Sequence, residues 1–281
     1  MLADIGTIRD VPFSECQSVT SDHVETGGVT MTWSDDVAEA DWIANVLHPF
    51  ARNVGSVMPD GYAGYARLFH PVRRAGNNRV RWAQIAGQNE RLVHREMQFH
   101  LIDTPAGTTP PTDRIYSGDL SWGSLPRAEL THLVEVLVHA TDTPLGCWFA
   151  VWDGYGQLHG NPAVARLSRG RVETHAGIVP AEVLAGPRVR LPGRDYLLLR
   201  GPVRSVVSLH DELGDQSPNL WWPADRAWCV ATEIDFSWTY IGGSDDLINR
   251  VVLDPAFEAL PSSIQDRFTI DSDLLNEALN H

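Results

Sequence analysis

The chain has 281 residues, 43% of them hydrophobic and 21% charged, which is long enough for a sizeable core and too apolar for wholesale disorder. Its formal net charge of −14 argues against nucleic acid and anionic membranes as partners, because a field of that sign repels both. All 22 basic residues are arginine, which excludes a Schiff-base lysine, a P-loop lysine and a lysine general base.

The negative charge is concentrated near the C-terminus. Residues 205–281 contain 14 acids and 3 arginines, a net of −11, whereas residues 1–204 have a net of −3. An acidic region of this kind attracts cations or basic partners, and simple solubility is the plainer explanation.

The first half of the chain begins with a polar, turn-rich stretch over residues 1–32, which we interpret as an N-terminal arm. Ser34 precedes two acids and a helical apolar stripe, so we predict a helix over residues 35–47 with Ser34 as its N-cap. Residues 62–72 have the composition of a strand. Residues 104–114 contain three prolines and a glycine, which is typical of a linker or a long surface loop.

The second half contains the clearest elements. Residues 126–140 place leucine and valine at helical spacing behind an N-terminal proline. The apolar runs at 147–152 (CWFAVW) and 196–199 (YLLL) indicate strands covered on both faces. Residues 228–235 (WCVATEID) alternate between a bulky apolar face and a face that ends in two carboxylates, which predicts a third strand.

Two further helices follow, one over residues 245–253 and a short one in the tail. Helices interleaved with strands favour an α+β (or α/β) fold, in which a mixed β-sheet with tryptophan-rich core strands is flanked by helices. We predict a single globular domain over residues 33–260, within which the loop at 104–114 could mark a boundary, followed by a C-terminal tail over residues 261–281.

A carboxylate pair is the first candidate for catalysis. On one strand Glu233 and Asp235 would point to the same side, and Asp153, at the end of the strand 147–152, could join them. Paired carboxylates can divide into acid and base or hold a divalent cation. The alternative is that they lie at a strand end and meet solvent or an arginine.

A histidine-rich segment is a weaker candidate for metal binding. In HREMQFH a strand would place His94, Glu96, Gln98 and His100 on one side, whereas on a helix His94 and His100 point apart. The segment matches no metal motif, so we predict neither a metal nor a cofactor.

Ten tryptophans are the most unusual feature of the composition. Indoles favour cores, and they also form the walls of clefts and the centres of interfaces. Besides a core role, we therefore consider Trp152, Trp221, Trp222 and Trp238 as candidate binding residues.

Several motifs of known enzyme and cofactor sites are absent from the sequence or incomplete. Residues 154–160 (GYGQLHG) only loosely resemble a dinucleotide loop, because the spacing is GxGxxxG and Pro162 interrupts the helix that should follow. There is no GxSxG elbow and no CxxC pair. The three isolated cysteines fit a reducing compartment, and the sequence has neither a signal peptide nor a membrane span, so we expect a cytoplasmic protein.

One resemblance stands beside these patterns. With its segments SPNLWWPADRAWCVATEIDFSWTYIGGS, CWFAVWDGYG and DYLLLRGPV, the chain is similar to a group of actinobacterial proteins of unassigned function. The likeness extends over residues 33–260. It implies a bacterial cytoplasmic origin and carries over no activity, cofactor or site residue.

Two functions follow from these observations. The first is a non-catalytic binding protein that uses its acidic C-terminal quarter and a tryptophan-rich surface to contact a basic protein partner. The second is a hydrolase in which Glu233, Asp235 and Asp153 work in a tryptophan-walled cleft. The sequence does not set the oligomeric state.

Overall fold

The computed structural model describes residues 24–26, 29–49, 53–74, 78–111, 120–160, 166–168, 171–173 and 177–280. Most of the predicted N-terminal arm, Cys16 and residues 112–114 of the predicted loop lie outside these ranges. The predicted domain limits therefore stay a prediction.

The strands, in chain order, are β1 Val24–Thr26, β2 Val29–Ser34, β3 Gly64–Phe69, β4 Val72–Arg74, β5 Asn78–Val80, β6 Cys147–Trp152, β7 Arg166–Ser168, β8 Arg171–Glu173, β9 Val189–Leu191, β10 Arg194–Gly201, β11 Leu220–Pro223, β12 Cys229–Ala231, β13 Trp238–Gly243 and β14 Ala259–Ser262. The α-helices are α1 Asp41–Ala44, α2 Trp82–Gln88, α3 Phe99–Ile102, α4 Arg127–Val138, α5 Gly156–His159, α6 Ala181–Ala185, α7 Val206–Glu212, α8 Asp245–Leu253 and α9 Leu274–Glu277.

One large sheet organises the fold. Within the described residues, ten strands pair in the order β1-β2-β10-β6-β11-β12-β13-β3-β14, with β9 added on β10, and each of these pairings is antiparallel. The remaining strands form two small hairpins, β4-β5 and β7-β8. The predicted α+β fold is confirmed, and β6 is an interior strand between β10 and β11, as its apolar run indicated.

The sheet is covered on both faces. Phe149 of β6 packs in one apolar cluster with Leu133 of α4 and Leu209 of α7. Its neighbour Trp148 points the other way, into a second cluster with Trp82 of α2. Successive side chains of a strand alternate between faces, so a sheet buried on both sides requires apolar residues at every position of its inner strands.

Tryptophan supplies much of both layers. Trp221 and Trp222 of β11 are each 1% exposed and belong to opposite clusters. Trp221 packs edge to face on Trp228 at a centroid distance of 5.2 Å. The tryptophan-rich core predicted from the sequence is therefore confirmed, and indoles account for a large part of its buried area.

Three local predictions are confirmed with small shifts of their ends. The helix at 126–140 is α4, and the one at 245–253 is α8. Ser244 caps α8 by accepting a hydrogen bond from the backbone N–H of Leu247 at 3.3 Å. The tail contains the short helix α9.

Two local predictions are confirmed only in part. The helix expected over residues 35–47 is a 3₁₀ turn, Val37–Ala40, followed by the single turn α1, and its supposed cap Ser34 instead ends β2 opposite Leu198. The strand expected at 228–235 ends at Ala231. Thr232 still donates its N–H to the carbonyl of Asn219, in register with the β11–β12 pairing, but the chain then turns, and the N–H of Phe236 closes this turn by donating to the carbonyl of Glu233 at 3.0 Å. In both places, contacts with residues distant in the sequence fix the course of the backbone, and a local residue pattern contains no information about such contacts.

Two further observations concern membrane-spanning helices and cysteines. In the part of the chain that the structure describes, no helix combines the length and the apolar character needed to cross a bilayer. Cys147 and Cys229 are buried free thiols.

A series of hydrogen-bonded polar groups lies buried beside the second apolar cluster, the one that contains Trp148 and Trp82. His70 Nδ1 lies 2.9 Å from the carbonyl of Ser121, which can only accept, so Nδ1 carries the proton. Nε2 therefore accepts from the hydroxyl of Thr239 at 2.9 Å, and Thr239 lies 2.7 Å from the hydroxyl of Thr232. Burial lowers the pKa of His70 to about 4, so the ring is neutral near pH 7.

We expect this histidine to make the protein acid-sensitive. The unfolded chain takes up a proton near pH 6.5 and the folded chain only near pH 4, so stability falls as the pH drops between these values, by up to about 1.4 kcal/mol per pH unit. Urea unfolding at several pH values will measure the slope, and His70→Gln should reduce it. His139→Gln, at an exposed histidine, is the control. Equal slopes in the wild type and His70→Gln would contradict the assignment.

Candidate functional site

The connection between β12 and β13, residues 232–237, carries both carboxylates of the predicted pair. It is closed by a hydrogen bond from the N–H of Phe236 to the carbonyl of Glu233 at 3.0 Å and by the Thr232–Thr239 contact. The N–H of Asp235 donates to Glu233 Oε2 at 2.8 Å. Glu233 and Asp235 therefore lie together on a tight turn, not on one face of a strand as the sequence suggested.

A second loop docks against this connection through Gly123. Gly123 has φ +67°, and its N–H donates to the carbonyl of Phe236 at 2.8 Å. A Cβ at this position would lie 2.6 Å from the carbonyl oxygen of Ile234, so only glycine allows the two backbones to come this close. The contact brings Trp122 beside the connection.

A cavity of about 370 Å³ opens between this connection, the start of α3 and residues 268–270. Its aromatic walls are Phe99, Trp122, Phe236, Trp238 and Phe268. Phe236 stacks on Trp238 at a centroid distance of 4.4 Å and meets Phe268 edge to face at 4.8 Å. These rings hold one another in place, so the cavity is built into the fold.

Six polar residues also line it: Gln98, His100, Glu233, Asp235, Ser237 and Thr269. Gln98 is held by Ser272, whose hydroxyl lies 3.0 Å from Gln98 Nε2. Ser237 is fully buried, and its hydroxyl has no hydrogen-bond partner among the described residues. Burial lowers the pKa of His100, so its imidazole is neutral near pH 7.

The two carboxylates have different environments. The side chain of Glu233 is 7% exposed and that of Asp235 is 71% exposed. Arg194 binds Glu233 Oε1 through Nε at 2.9 Å and reaches Asp235 Oδ2 through Nη2 at 3.5 Å. Burial raises the pKa of Glu233, and the backbone N–H of Asp235 and the guanidinium of Arg194 act against that rise.

An arginine lies beneath the cavity. Arg67 of β3 is fully buried, and its guanidinium carbon is 3.9 Å from the centroid of Trp238. Nη1 donates to the carbonyl of Arg95 at 2.6 Å, whereas Nε and Nη2 have no partner in the described part of the chain. Burial lowers the pKa of Arg67. Arg67 is not identifiable from the sequence, because nothing in YARLF distinguishes a buried arginine from an exposed one.

The structure brings together only part of the candidate catalytic set. Glu233 and Asp235 line the cavity, whereas Asp153 does not. Asp153 follows directly after β6, where it pairs with Arg188 at 2.9 Å and with His159 at 3.1 Å. β11 lies between β6 and β12, so the two strands are not neighbours and Asp153 does not join the pair in the cavity lining.

The four candidate tryptophans separate in the same way. Trp238 lines the cavity, and Trp152 is half-buried with the guanidinium of Arg194 at 5.6 Å from its ring centroid. Trp221 and Trp222 are interior side chains, so they stabilise the sheet and offer no surface to a partner. Trp122, which does line the cavity, was not among the candidates, because only tertiary packing places it there.

The candidate metal ligands are engaged elsewhere. Residues 94–98 form a loop and α3 begins at Phe99, so neither the strand nor the helix considered for this segment is present. His94 Nε2 pairs with Asp273 at 2.6 Å, and Glu96 Oε1 accepts from the N–H of Arg267 at 2.6 Å. His100 alone of the three lines the cavity.

Two other features of the described residues are less convincing sites. His210, Asp211 and Asp215 place ligand atoms within 4.8 Å of one another, but Arg127 holds both oxygens of Asp211. A groove of about 900 Å³ between α4 and α8 has no tryptophan, tyrosine or phenylalanine in its lining.

The fold also offsets part of the charge separation along the chain. Asp211, Glu233 and Asp266 of the acidic C-terminal quarter pair with Arg127, Arg194 and Arg95 of the first 204 residues. The acidic quarter is therefore less exposed as a uniform negative surface than its sequence implies.

Comparisons of the chain with protein-family models, with curated proteins and with solved structures find no match.

Arg194→Met tests the electrostatics of the site. It leaves the nearly buried Glu233 without its cation, and we expect the free energy of unfolding to fall by about 3 kcal/mol at pH 7. Urea denaturation measures the loss. The double variant with Glu233→Gln should recover part of it, because no uncompensated charge then remains. A double variant no more stable than Arg194→Met would show that the ion pair is not the cause.

Proposed function

We propose that the protein binds a small molecule in the cavity between α3 and residues 232–237. The observation that carries this proposal is a concave site of about 370 Å³ with five aromatic walls and a few convergent polar groups. Ligand pockets typically occupy about 300–1,000 Å³ and have this kind of lining. The unpartnered hydroxyl of Ser237 supports it further, because a buried polar group without a partner is costly unless something binds it.

The construction of the site favours a preformed pocket. Gly123 fixes the Trp122 loop against the connection, and the Thr232–Thr239 contact fixes the connection on the sheet. A rigid pocket loses little conformational entropy when a ligand enters, and this favours affinity.

Recognition of a basic protein through the acidic C-terminal quarter is the other form of the binding hypothesis. The net charge supports it, and the ion pairs of Asp211, Glu233 and Asp266 weaken it. The aromatic cavity is more specific, so we favour a small molecule over a protein surface. Location in the cytoplasm remains a prediction that fits the two buried free thiols.

Blocking the cavity tests the proposal. Ile270 lines it and is 47% exposed, so Ile270→Trp should place an indole in the space without disturbing the core. The probes are indole, phenol, 2-phenylethanol and 2-phenylethylamine, titrated by ligand-observed NMR. We expect at least one probe to bind the wild type and to lose about tenfold or more in affinity in the variant.

Leu253→Trp is the matched control, because Leu253 is 79% exposed on α8 and lies outside the cavity. It should bind the probes as the wild type does. Binding of none of the four probes to the wild type, or equal binding to both variants, would refute the proposed site.

Hydrolysis is the second candidate, and the environments of the two carboxylates favour it. Burial raises the pKa of Glu233, while Asp235 lies close by and open to solvent, and such pairs can divide into acid and base. Against this, Arg194 and the N–H of Asp235 occupy both oxygens of Glu233. We therefore rank catalysis below binding.

Chromogenic p-nitrophenyl esters, phosphates and glycosides distinguish the two functions. For a hydrolase we expect turnover of one class and a loss of about 100-fold or more in kcat/KM in Glu233→Gln. Glu212→Gln, on α7, serves as the control for the same chemical change. Absence of turnover in all three classes, or equal rates in the two variants, would exclude this role for Glu233.

A further inference from the structure

The charges around the cavity restrict what it can hold. Of the described residues that line it, two are acids and none is an arginine. Arg194 contacts the two carboxylates but is not part of this lining, and its close contact is to Glu233. Within the described residues, the carboxylate of Asp235 is compensated less closely than that of Glu233, because its contact with Arg194 is 3.5 Å long. An anionic ligand in the cavity would lie near the carboxylate of Asp235, and the two negative charges would repel each other.

The neutral groups point in the same direction. The imidazole of His100 carries no charge near pH 7 because burial lowers its pKa, so the lining offers no positive charge of its own. The hydroxyl of Ser237 can accept a hydrogen bond, and among the described residues nothing donates to it. A ligand that brings N–H donors would satisfy Ser237 and Asp235, which belong to the same short connection.

Aromatic walls also favour a cation, since a ring face attracts positive charge. Trp238 is an exception, because the guanidinium of Arg67 already lies 3.9 Å from its centroid. A ligand cation is therefore expected at the rim, near Asp235 and Trp122, with its apolar part directed toward Phe236 and Phe268.

From this arrangement we propose that the ligand of the cavity is an organic primary amine on an aromatic or similarly flat apolar body. Its ammonium group binds Asp235 and donates to Ser237, and its apolar body lies among the aromatic rings. This rests on the proposed small-molecule site and specifies the class of molecule that the site takes.

Three probes of one shape test the charge. They are 2-phenylethylamine, the neutral 2-phenylethanol and the anionic phenylacetate, titrated into the full-length protein at pH 7. We expect the amine to bind about tenfold or more tightly than the alcohol, because its ammonium group forms a charge-assisted hydrogen bond with Asp235. Phenylacetate should bind most weakly. Added salt should narrow the gap between amine and alcohol.

Variants then locate the contact. Asp235→Asn should remove most of the preference for the amine and leave the affinity for the alcohol unchanged. Asp246→Asn makes the same change of charge on α8, outside the cavity, and should keep the preference. Ser237→Ala should weaken amine binding by about three- to tenfold. Urea unfolding of each variant shows that the fold is retained.

The outcomes separate this inference from the proposal beneath it. Equal binding of amine and alcohol, or tighter binding of phenylacetate, would overturn the amine assignment and leave the cavity as a ligand site. An equal loss of preference in Asp235→Asn and Asp246→Asn would also overturn it, because the effect would then come from net charge alone. Binding of none of the probes would refute the site itself.

Discussion

The burial of one sheet on both faces is the constraint on which the rest of the structure depends. Inner strands such as β6 and β11 have no side that can carry charge, so their residues are apolar at successive positions. Charged groups are therefore found where strands end, and Glu233 and Asp235 follow directly after β12. The position of the candidate site is in this sense a consequence of the layering, because its two carboxylates lie at the sheet margin and the aromatic rings lie behind them.

Arg67 is the exception to this rule. Its charge lies within the second apolar layer, among the rings of Trp238, Phe69 and Trp82, with one hydrogen bond to a backbone carbonyl. Desolvation of a guanidinium is expensive, and stacking on aromatic rings offsets part of that cost. The same contact occupies Trp238 from within the core, and this is why a ligand cation is expected at the rim of the cavity and not at its floor.

The sequence predicted the parts of the fold that depend on local pattern. Runs such as CWFAVW and YLLL indicated interior strands, and the apolar spacing of α4 indicated a helix packed on the sheet. The carboxylate pair was identified as a site, but it was placed on a strand, since the alternation in WCVATEID continues past the point where β12 ends. That end is set by the turn at residues 233–236, which is held by the backbone of Gly123 from a distant part of the chain, so no local pattern records it. Trp122, Ser237 and Arg67 were missed for the same reason, because their roles exist only after packing.

The most direct measurement of the central claim is ¹⁹F NMR of the protein labelled with 5-fluorotryptophan, titrated with 2-phenylethylamine and assigned with single Trp→Phe variants. Ten tryptophans report on the whole fold, and two of them, Trp122 and Trp238, line the cavity. We expect the resonances of these two to shift with saturation, while those of the core residues Trp221, Trp222 and Trp228 stay in place. Shifts confined to the core resonances, or no shift at any tryptophan, would contradict a ligand site between α3 and residues 232–237.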